Sequence, residues 1–263
     1  RDNTSVLYPN ITGEYDMKKP TGYVIYKGAS LIDGKPIVVI ANISSVNAKT
    51  GNAIQTTILR DDIDPLLANK TGEDYSICGT CPHRGTPSDD PNRKTATNRT
   101  CYVNLGQGVL QVYKSYKKGN YPMLTGHKAL QELGKDRVVR LGTYGDPSIV
   151  PSYIWDSLIS QSEKWLGYSH QSGVKGVDYR PDIFMRSADT LEEAQQSWAK
   201  GERTFRIINH TREIVKGKEI LCPSPRVHCV DCGLCGGSKI KAKNITIVVH
   251  GNGKNNFNKR EVA

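Results

Sequence analysis

The sequence contains seven cysteines, and their spacing is typical of a metal centre. They are Cys78, Cys81 and Cys101 in a first group, and Cys222, Cys229, Cys232 and Cys235 in a second. Two thiolates in a C-x-x-C step can reach one metal ion or one edge of a cluster. Adjacent glycines allow the backbone to wrap around such a site and to donate N–H groups to sulfur. The run C-x-x-C-x-x-C in the second group is therefore the sharpest functional signal in the chain.

The grouping favours iron-sulfur clusters over a single zinc ion. Zinc usually takes its ligands as two pairs, whereas three evenly stepped cysteines with a Cys-Pro upstream fit a cuboidal cluster. The second group has enough thiolates to close a four-iron cluster, and the first can hold another with one open iron. The groups can also combine, so one or two 4Fe-4S clusters are expected. The alternatives are structural zinc and redox-active or inert thiols. His83 and His228 are further candidate ligands, although supporting or surface roles suit them better.

Polar side chains follow successive predicted strands. They are Asp146, His170 with Gln171, Ser187 with Asp189, Asn209 with His210, and His250. Parallel α/β sheets bind ligands beyond the carboxyl ends of their strands, although polar residues end most strands because loops are solvated. We expect Asp146, His170 and His250 to act as general acid/base or substrate-binding groups. The chain has no P-loop, nucleophile elbow, H-E-x-x-H motif or Rossmann glycine fingerprint.

The elements that must position these residues begin with a β-rich region. Two apolar, β-branched stretches, 22–30 and 35–43, flank Asp33-Gly34, a dipeptide typical of a tight hairpin turn. A third strand is predicted over 53–60. Asp64-Pro65 then opens a short helix, which Gly72 ends.

Strand and helix patterns alternate after the first cysteines. Helices are predicted over 109–118, 127–133, 152–164 and 190–201, and strands over 137–142, 165–169, 182–186, 204–208 and 245–249. This order favours an α/β protein, either a partial barrel or an open, mostly parallel sheet with helical crossovers, preceded by an N-terminal β-hairpin region. We expect a β-rich region over 1–75 and an α/β core with both cysteine groups over 76–263, together forming one compact unit.

The composition is that of a globular protein with a basic surface. No apolar run approaches the length of a membrane span, so no membrane contact is expected. The net charge is +10, with lysines clustered at 114–118 and 239–243. Such a surface attracts polyanions, which makes nucleic acid a candidate partner. The simpler interpretation is that these lysines lie on solvated faces.

N-x-S/T sequons raise the alternative of a secreted, disulfide-bonded protein. They lie at Asn3, Asn10, Asn42, Asn69, Asn98, Asn209 and Asn244. The odd number of cysteines and the close spacing of the last three argue against disulfides. A chain of 263 residues can also bury a core without covalent links.

Segments spread over about residues 20 to 250 together resemble one protein family. They are Gly22-Tyr23-Val24, Ile32-Asp33-Gly34, Lys49-Thr50-Gly51-Asn52, Ile54-Gln55, Ile58-Leu59-Arg60, Cys78-Gly79-x-Cys81-Pro82-His83-Arg84, Cys101-Tyr102-Val103-Asn104, Gly145-Asp146 and Cys229-x-x-Cys232-Gly233-x-Cys235. They resemble a cysteine-rich bacteriophage family often labelled gene product eighty-eight. The resemblance implies a phage-encoded protein of the host cytoplasm, with incidental sequons, and it implies no particular reaction.

The order of the cysteine groups is also similar to that of radical S-adenosylmethionine enzymes with an auxiliary cluster. The similarity implies S-adenosylmethionine as a candidate cofactor. Those enzymes hold the reactive cluster with C-x-x-x-C-x-x-C in one loop, whereas Cys101 lies well beyond Cys81 here. The leading hypothesis is an iron-sulfur protein with redox or radical chemistry at the strand-end rim. The alternative is a nucleic-acid- or protein-binding module that a metal merely stabilises.

Overall fold

A nine-stranded sheet forms the centre of the computed structural model, which describes residues 19–44, 50–251 and 253–260. The strands are β1 (Gly22–Ala29), β2 (Pro36–Asn42), β3 (Ile54–Arg60), β4 (Val138–Tyr144), β5 (Lys164–Ser169), β6 (Met185–Ala188), β7 (Thr204–Ile208), β8 (Glu219–Leu221) and β9 (Asn244–Val248). Their order across the sheet is β1-β2-β3-β4-β5-β6-β7-β9-β8. The pairs from β1 to β3 are antiparallel, and every later pair is parallel. The predicted α/β class is confirmed in its open, mostly parallel form.

The hairpin between β1 and β2 forms where Asp33-Gly34 predicted it. The Ser30 N–H donates to the Lys35 carbonyl at 2.8 Å, and Asp33 Oδ1 accepts from the Lys35 N–H at 3.1 Å. Gly34 adopts φ +74°, a left-handed conformation that costs glycine little. The turn therefore fixes the register of the two strands that begin the sheet.

Helices of seven to nine residues and two single turns lie between the later strands or, for the last helix, after them. They are α1 (Pro65–Thr71), α2 (Tyr75–Cys78), α3 (Leu110–Lys117), α4 (His127–Gly134), α5 (Ser152–Ile159), α6 (Leu191–Ala199), α7 (Cys229–Cys232) and α8 (Lys254–Arg260). Asp64 caps α1 by accepting from the Leu66 N–H at 2.8 Å, and Gly72 ends it at φ +83°. No helix in the described ranges is long and apolar enough to cross a membrane.

The main core lies between one face of the sheet and two helices. Val139 and Leu141 of β4 pack there with Leu130 of α4 and with Trp155 and Leu158 of α5. These side chains are almost completely buried, and each contributes about 1.5–3 kcal/mol of hydrophobic stabilisation when fully buried. The antiparallel strands β1 to β3 extend the same core.

A second, smaller core covers the opposite face. Leu166 of β5, Met185 of β6 and Ile245 of β9 pack there against Cys235. Successive side chains of a strand point to opposite faces, so Arg140 points to this second face because its neighbours Val139 and Leu141 lie in the main core. The second cysteine group is thus part of the packing of the sheet.

Two predicted boundaries are wrong for local reasons. Helix α5 ends at Ile159, and Lys164 already belongs to β5, because the hydroxyls of Ser160 and Ser162 bond to the last helical carbonyls. Strand β6 begins at Met185 rather than at Asp182, because residues 180–184 form a turn closed on the Arg180 carbonyl. Ser187 consequently lies inside β6. The short elements α2, α7, β8 and α8 were not predicted.

The structure of the described residues argues against the alternative of a secreted, disulfide-bonded protein. None of the seven cysteines, all of which are described, forms a disulfide. Asn69 and Asn244 are buried, with 2% and 9% of their surface exposed, so neither sequon can carry a glycan in this fold. Asn3 and Asn10 lie outside the described residues.

Candidate metal centre and the adjoining cavity

A cavity of about 230 Å³ lies at the carboxyl ends of the parallel strands. Asp146 enters its wall after β4, His170 after β5, Asp189 after β6 and His250 after β9. The structure therefore brings the three predicted catalytic residues to one rim. Five cysteines of both groups also line the cavity, namely Cys78, Cys81, Cys101, Cys222 and Cys229.

The first cysteine group lies in the wall of this cavity. Cys78 ends α2, and the Cys81 N–H donates to the Cys78 carbonyl at 3.2 Å. The Cys101 N–H donates to the His83 carbonyl at 3.0 Å, which brings the distant third cysteine to the same loop. Burial raises the pKa of Cys78 well above its usual range, and the nearby charges of Asp74, Cys81 and Cys101 add to the rise. The three thiols therefore share one electrostatic site.

Gln171 fastens the loop of Cys78 and Cys81 to the sheet. Its fully buried amide donates to the Cys78 carbonyl at 3.0 Å and to Asp146 Oδ2 at 3.1 Å. The amide oxygen accepts from the Thr80 N–H at 3.2 Å. Gly79 has φ +54°, and a Cβ atom there would lie 2.2 Å from this oxygen. Only glycine fits at this position without a shift.

The second cysteine group surrounds a separate small void. Cys222, Cys229, Cys232 and Cys235 all line this space, whose volume is about 30 Å³. The turn α7 carries Cys229 and Cys232, and Gly233 ends it at φ +64°. Burial raises the pKa of Cys235 to about 12, although a hydrogen bond with the Tyr168 hydroxyl works in the opposite direction. Cys222 and Cys229 line both the void and the larger cavity, so the two cysteine groups adjoin.

The cysteine sulfurs are too widely spaced for a preformed zinc site. Among the described residues, no three of them lie mutually within 4.8 Å. Tetrahedral zinc, with Zn–S distances of about 2.3 Å, needs sulfurs only ~3.8 Å apart. The void of about 30 Å³ also exceeds the roughly 10–15 Å³ that one water molecule needs. A cuboidal cluster separates its thiolates more widely, because each binds a different iron.

Two histidines meet one carboxylate beside the first cysteine group. His83 Nε2 and His170 Nε2 lie 3.0 Å and 3.5 Å from the same oxygen of Asp189. His83 Nδ1 lies 2.7 Å from the Thr100 hydroxyl, which orients the ring. These three form the group whose ligand atoms lie mutually within 4.8 Å, and such a set can hold a divalent ion. His83, predicted mainly as a supporting residue, is buried, and both of its ring nitrogens have polar partners.

Charge and burial oppose each other at this cluster. Burial favours neutral His170, but the charge of a Cys81 thiolate and the hydrogen bonds to Asp189 and Cys81 outweigh it, and the pKa of His170 is raised well above its usual value. Burial likewise raises the pKa of Asp189, yet hydrogen bonds from both imidazoles dominate and the pKa is lowered. The balance favours an imidazolium at His170, between the Cys81 sulfur and the Asp189 carboxylate.

The other two predicted catalytic residues, Asp146 and His250, bond mainly to the protein backbone. Asp146 is buried, and its oxygens accept from the Ser148 N–H at 3.0 Å and from the His170 N–H at 2.8 Å. It therefore positions His170. His250 Nδ1 lies 2.9 Å from the Val248 carbonyl, and its ring packs against Tyr102 with centroids 5.9 Å apart.

The cavity also contains polar residues that sequence reasoning missed. Arg140, Tyr144 and Ser224 each place in its wall a buried polar atom that has no hydrogen-bond partner among the described residues. The signal for Arg140 was a lone charge inside the apolar run Val138-Val139-Arg140-Leu141. Nothing in the sequence marks Tyr144 or Ser224.

Comparison of the chain with models of protein families, with curated proteins and with solved structures finds no match.

Proposed function

We propose that this chain is an iron-sulfur protein that acts on a small molecule in the strand-end cavity. Cys222, Cys229, Cys232 and Cys235 would hold one four-iron cluster, and Cys78, Cys81 and Cys101 would hold another, leaving one of its irons without a cysteine ligand. The observation that carries the proposal is the placement of four cysteines around one void next to three more in the wall of the adjoining cavity. Among the described residues no three of these sulfurs lie mutually within 4.8 Å, so the preference for clusters over zinc rests on the cysteine spacing in the sequence.

The protein residues around the open position would hold and move a proton. The bound cluster supplies electron transfer or Lewis-acid chemistry. Asp146 fixes the backbone of His170, and the His170 imidazole lies between the Cys81 thiol and Asp189. A charged imidazole at this position can donate a proton to a substrate and recover it. S-adenosylmethionine as a ligand of the open iron stays a prediction of the radical-enzyme similarity.

Iron and sulfide analysis of anaerobically prepared protein tests the proposal. Two four-iron clusters predict about eight iron and eight sulfide per chain. Replacing one ligand in either group, by C235S or C81S, should remove up to about half of the iron. V227A is the matched control, because Val227 lines the small void without offering a thiol. A colourless protein with stoichiometric zinc, or iron content that both cysteine variants leave unchanged, would contradict the proposal.

The contacts of Cys81 favour a second candidate, a thiol nucleophile. His170 is hydrogen-bonded to Cys81 and to Asp189, which is the order of nucleophile, base and orienting carboxylate in cysteine enzymes. Alkylation by iodoacetamide, mapped by mass spectrometry, separates the candidates. A cluster ligand is protected in iron-loaded protein and becomes reactive when iron is removed. A nucleophile reacts fastest at Cys81 whether or not iron is present, and D189N slows it.

A further inference from the structure

Arg140 lines the cavity, and the groups of the described chain that stabilise its charge are Tyr102, Tyr168 and Cys229 rather than a carboxylate. Its Nη2 donates to the Tyr102 hydroxyl at 2.8 Å, while its buried Nε has no hydrogen-bond partner among the described residues. Within the described chain, no carboxylate oxygen lies within 4.0 Å of the guanidinium. Arg140 is partly buried, but its Nε atom is shielded from solvent, and a shielded charged group is costly unless it is paired. The guanidinium is therefore ready to receive an anion from outside the chain.

Two further buried polar atoms lie in the wall of the same space. Tyr144 is buried, with 4% of the residue exposed, and its hydroxyl has no hydrogen-bond partner in the described ranges. Ser224 Oγ is also a buried atom without a hydrogen-bond partner among the described residues, and Ser224 lies next to the second cysteine group. Buried polar groups in proteins are almost always hydrogen-bonded. A ligand in the cavity would satisfy them together with Arg140.

The sheet side of the wall is apolar, although Asp74, Asp146 and Asp189 also line the cavity, and its size limits the ligand. Leu166, Phe205, Ile207, Ile247 and Val249 line it on the sheet side. The volume of about 230 Å³ lies just below the ~300–1,000 Å³ of pockets for drug-sized molecules. A polymer does not fit in such a space, whereas a small ligand with an apolar body does.

We infer that the cavity binds a small organic anion, a carboxylate or phosphate on an apolar body, with Arg140 as its anchor and the Tyr144 and Ser224 hydroxyls as further contacts. A guanidinium offers a fork of donors that matches both kinds of anion. The inference deepens the proposed function and rests on it, because the anion would lie between the two cysteine groups.

Calorimetric titration of the reconstituted protein tests the inference, with iron measured on every sample. The probes are benzoate and phenyl phosphate, which distinguish the two anions, and neutral benzamide, which lacks the charge. At least one anion should bind once per chain, and R140M should weaken that binding about tenfold to a hundredfold. Y144F should weaken it less. R137M is the matched control, because Arg137 precedes the same strand and donates to the carbonyls of Ile43 and Asn52.

The outcomes separate this inference from the proposed function. Iron-loaded protein that binds neither anion, or binds benzamide equally well, would overturn the anion site and leave the clusters in place. Anion binding that depends on Arg140 in a protein without iron would support the site and remove the proposed function. Loss of iron along with anion binding in R140M would assign the guanidinium to balancing cluster charge, and the inference would fail.

Discussion

Removing the Tyr144 hydroxyl tests whether this group stabilises the fold. Y144F removes a buried hydroxyl that has no partner among the described residues, so the free energy of unfolding should stay the same or rise. Y121F is the matched control, because the Tyr121 hydroxyl accepts from Asn42 at 3.2 Å, and its loss should cost about 0.5–1.5 kcal/mol. Denaturant unfolding of both variants measures this. A larger loss for Y144F would mean that its hydroxyl is bonded within the fold.

His170 owes part of its raised pKa to Asp189, which gives a second prediction. D189N keeps an oxygen acceptor but removes the negative charge, so the pKa of His170 should fall because the imidazolium loses its counter-charge. Imidazole NMR signals of the metal-free protein, followed against pH, measure the change. E213Q, at the exposed His210 turn, is the control. An unchanged His170 titration would assign the shift to Cys81 alone.

At the residue scale, the sequence predicts ligand-type side chains better than their surroundings. The cysteine groups and the strand-end histidines could be found because spacing and periodicity are local properties. Arg140 and Tyr144 could not be assigned to a cavity, because burial without a partner depends on what the rest of the chain places around them. The meeting of His83 with Asp189 likewise depends on tertiary folding.

At the element scale, glycines control how β4 delivers Asp146. Gly145 has φ +84°, and a Cβ there would lie 2.6 Å from Ile58 Cβ and 3.2 Å from the Ile58 and Ile77 carbonyl oxygens. Gly119 has φ +75°, and a Cβ atom there would have no neighbour within 4 Å. The variant G119A therefore measures the backbone strain alone, without a steric clash. G119A should cost about 1–2 kcal/mol and G145A clearly more. Denaturant unfolding measures both, and equal losses would mean that the packing around Gly145 can relax.

The elements that could be predicted are those with a repeating pattern or a strong turn signal. The β1–β2 hairpin, α1 and the alternation of strands and helices were visible in this way. Single-turn α7 has too few residues to show a period, and its shape follows from Gly233 and the packing of its loop. For β8, three residues pairing in parallel with β9, no local signal separates a strand from a loop.

At the scale of the whole molecule, the proposed clusters would couple metal loading to pH, because burial raises the pKa of one thiol in each cysteine group. The pKa of Cys235 is about 12 and that of Cys78 is well above its usual range, so both thiols are protonated near neutral pH. Metal binding needs thiolates and displaces those protons. Raising the pH should therefore tighten iron retention, and lowering it should weaken retention. Chelator titration at pH 6 to 9, corrected for protonation of the chelator, measures this, and a flat profile would contradict it.

The bonds of Gln171 carry a consequence for how the protein would be assembled. Because the hydrogen bonds of Gln171 already hold this loop against the sheet, the loop would lose little conformational entropy on binding a metal. Such a scaffold differs from a zinc finger, which acquires its shape only with its ion. The polypeptide should therefore be able to fold before it binds metal. Removal of the metal should leave a folded protein that can bind metal again.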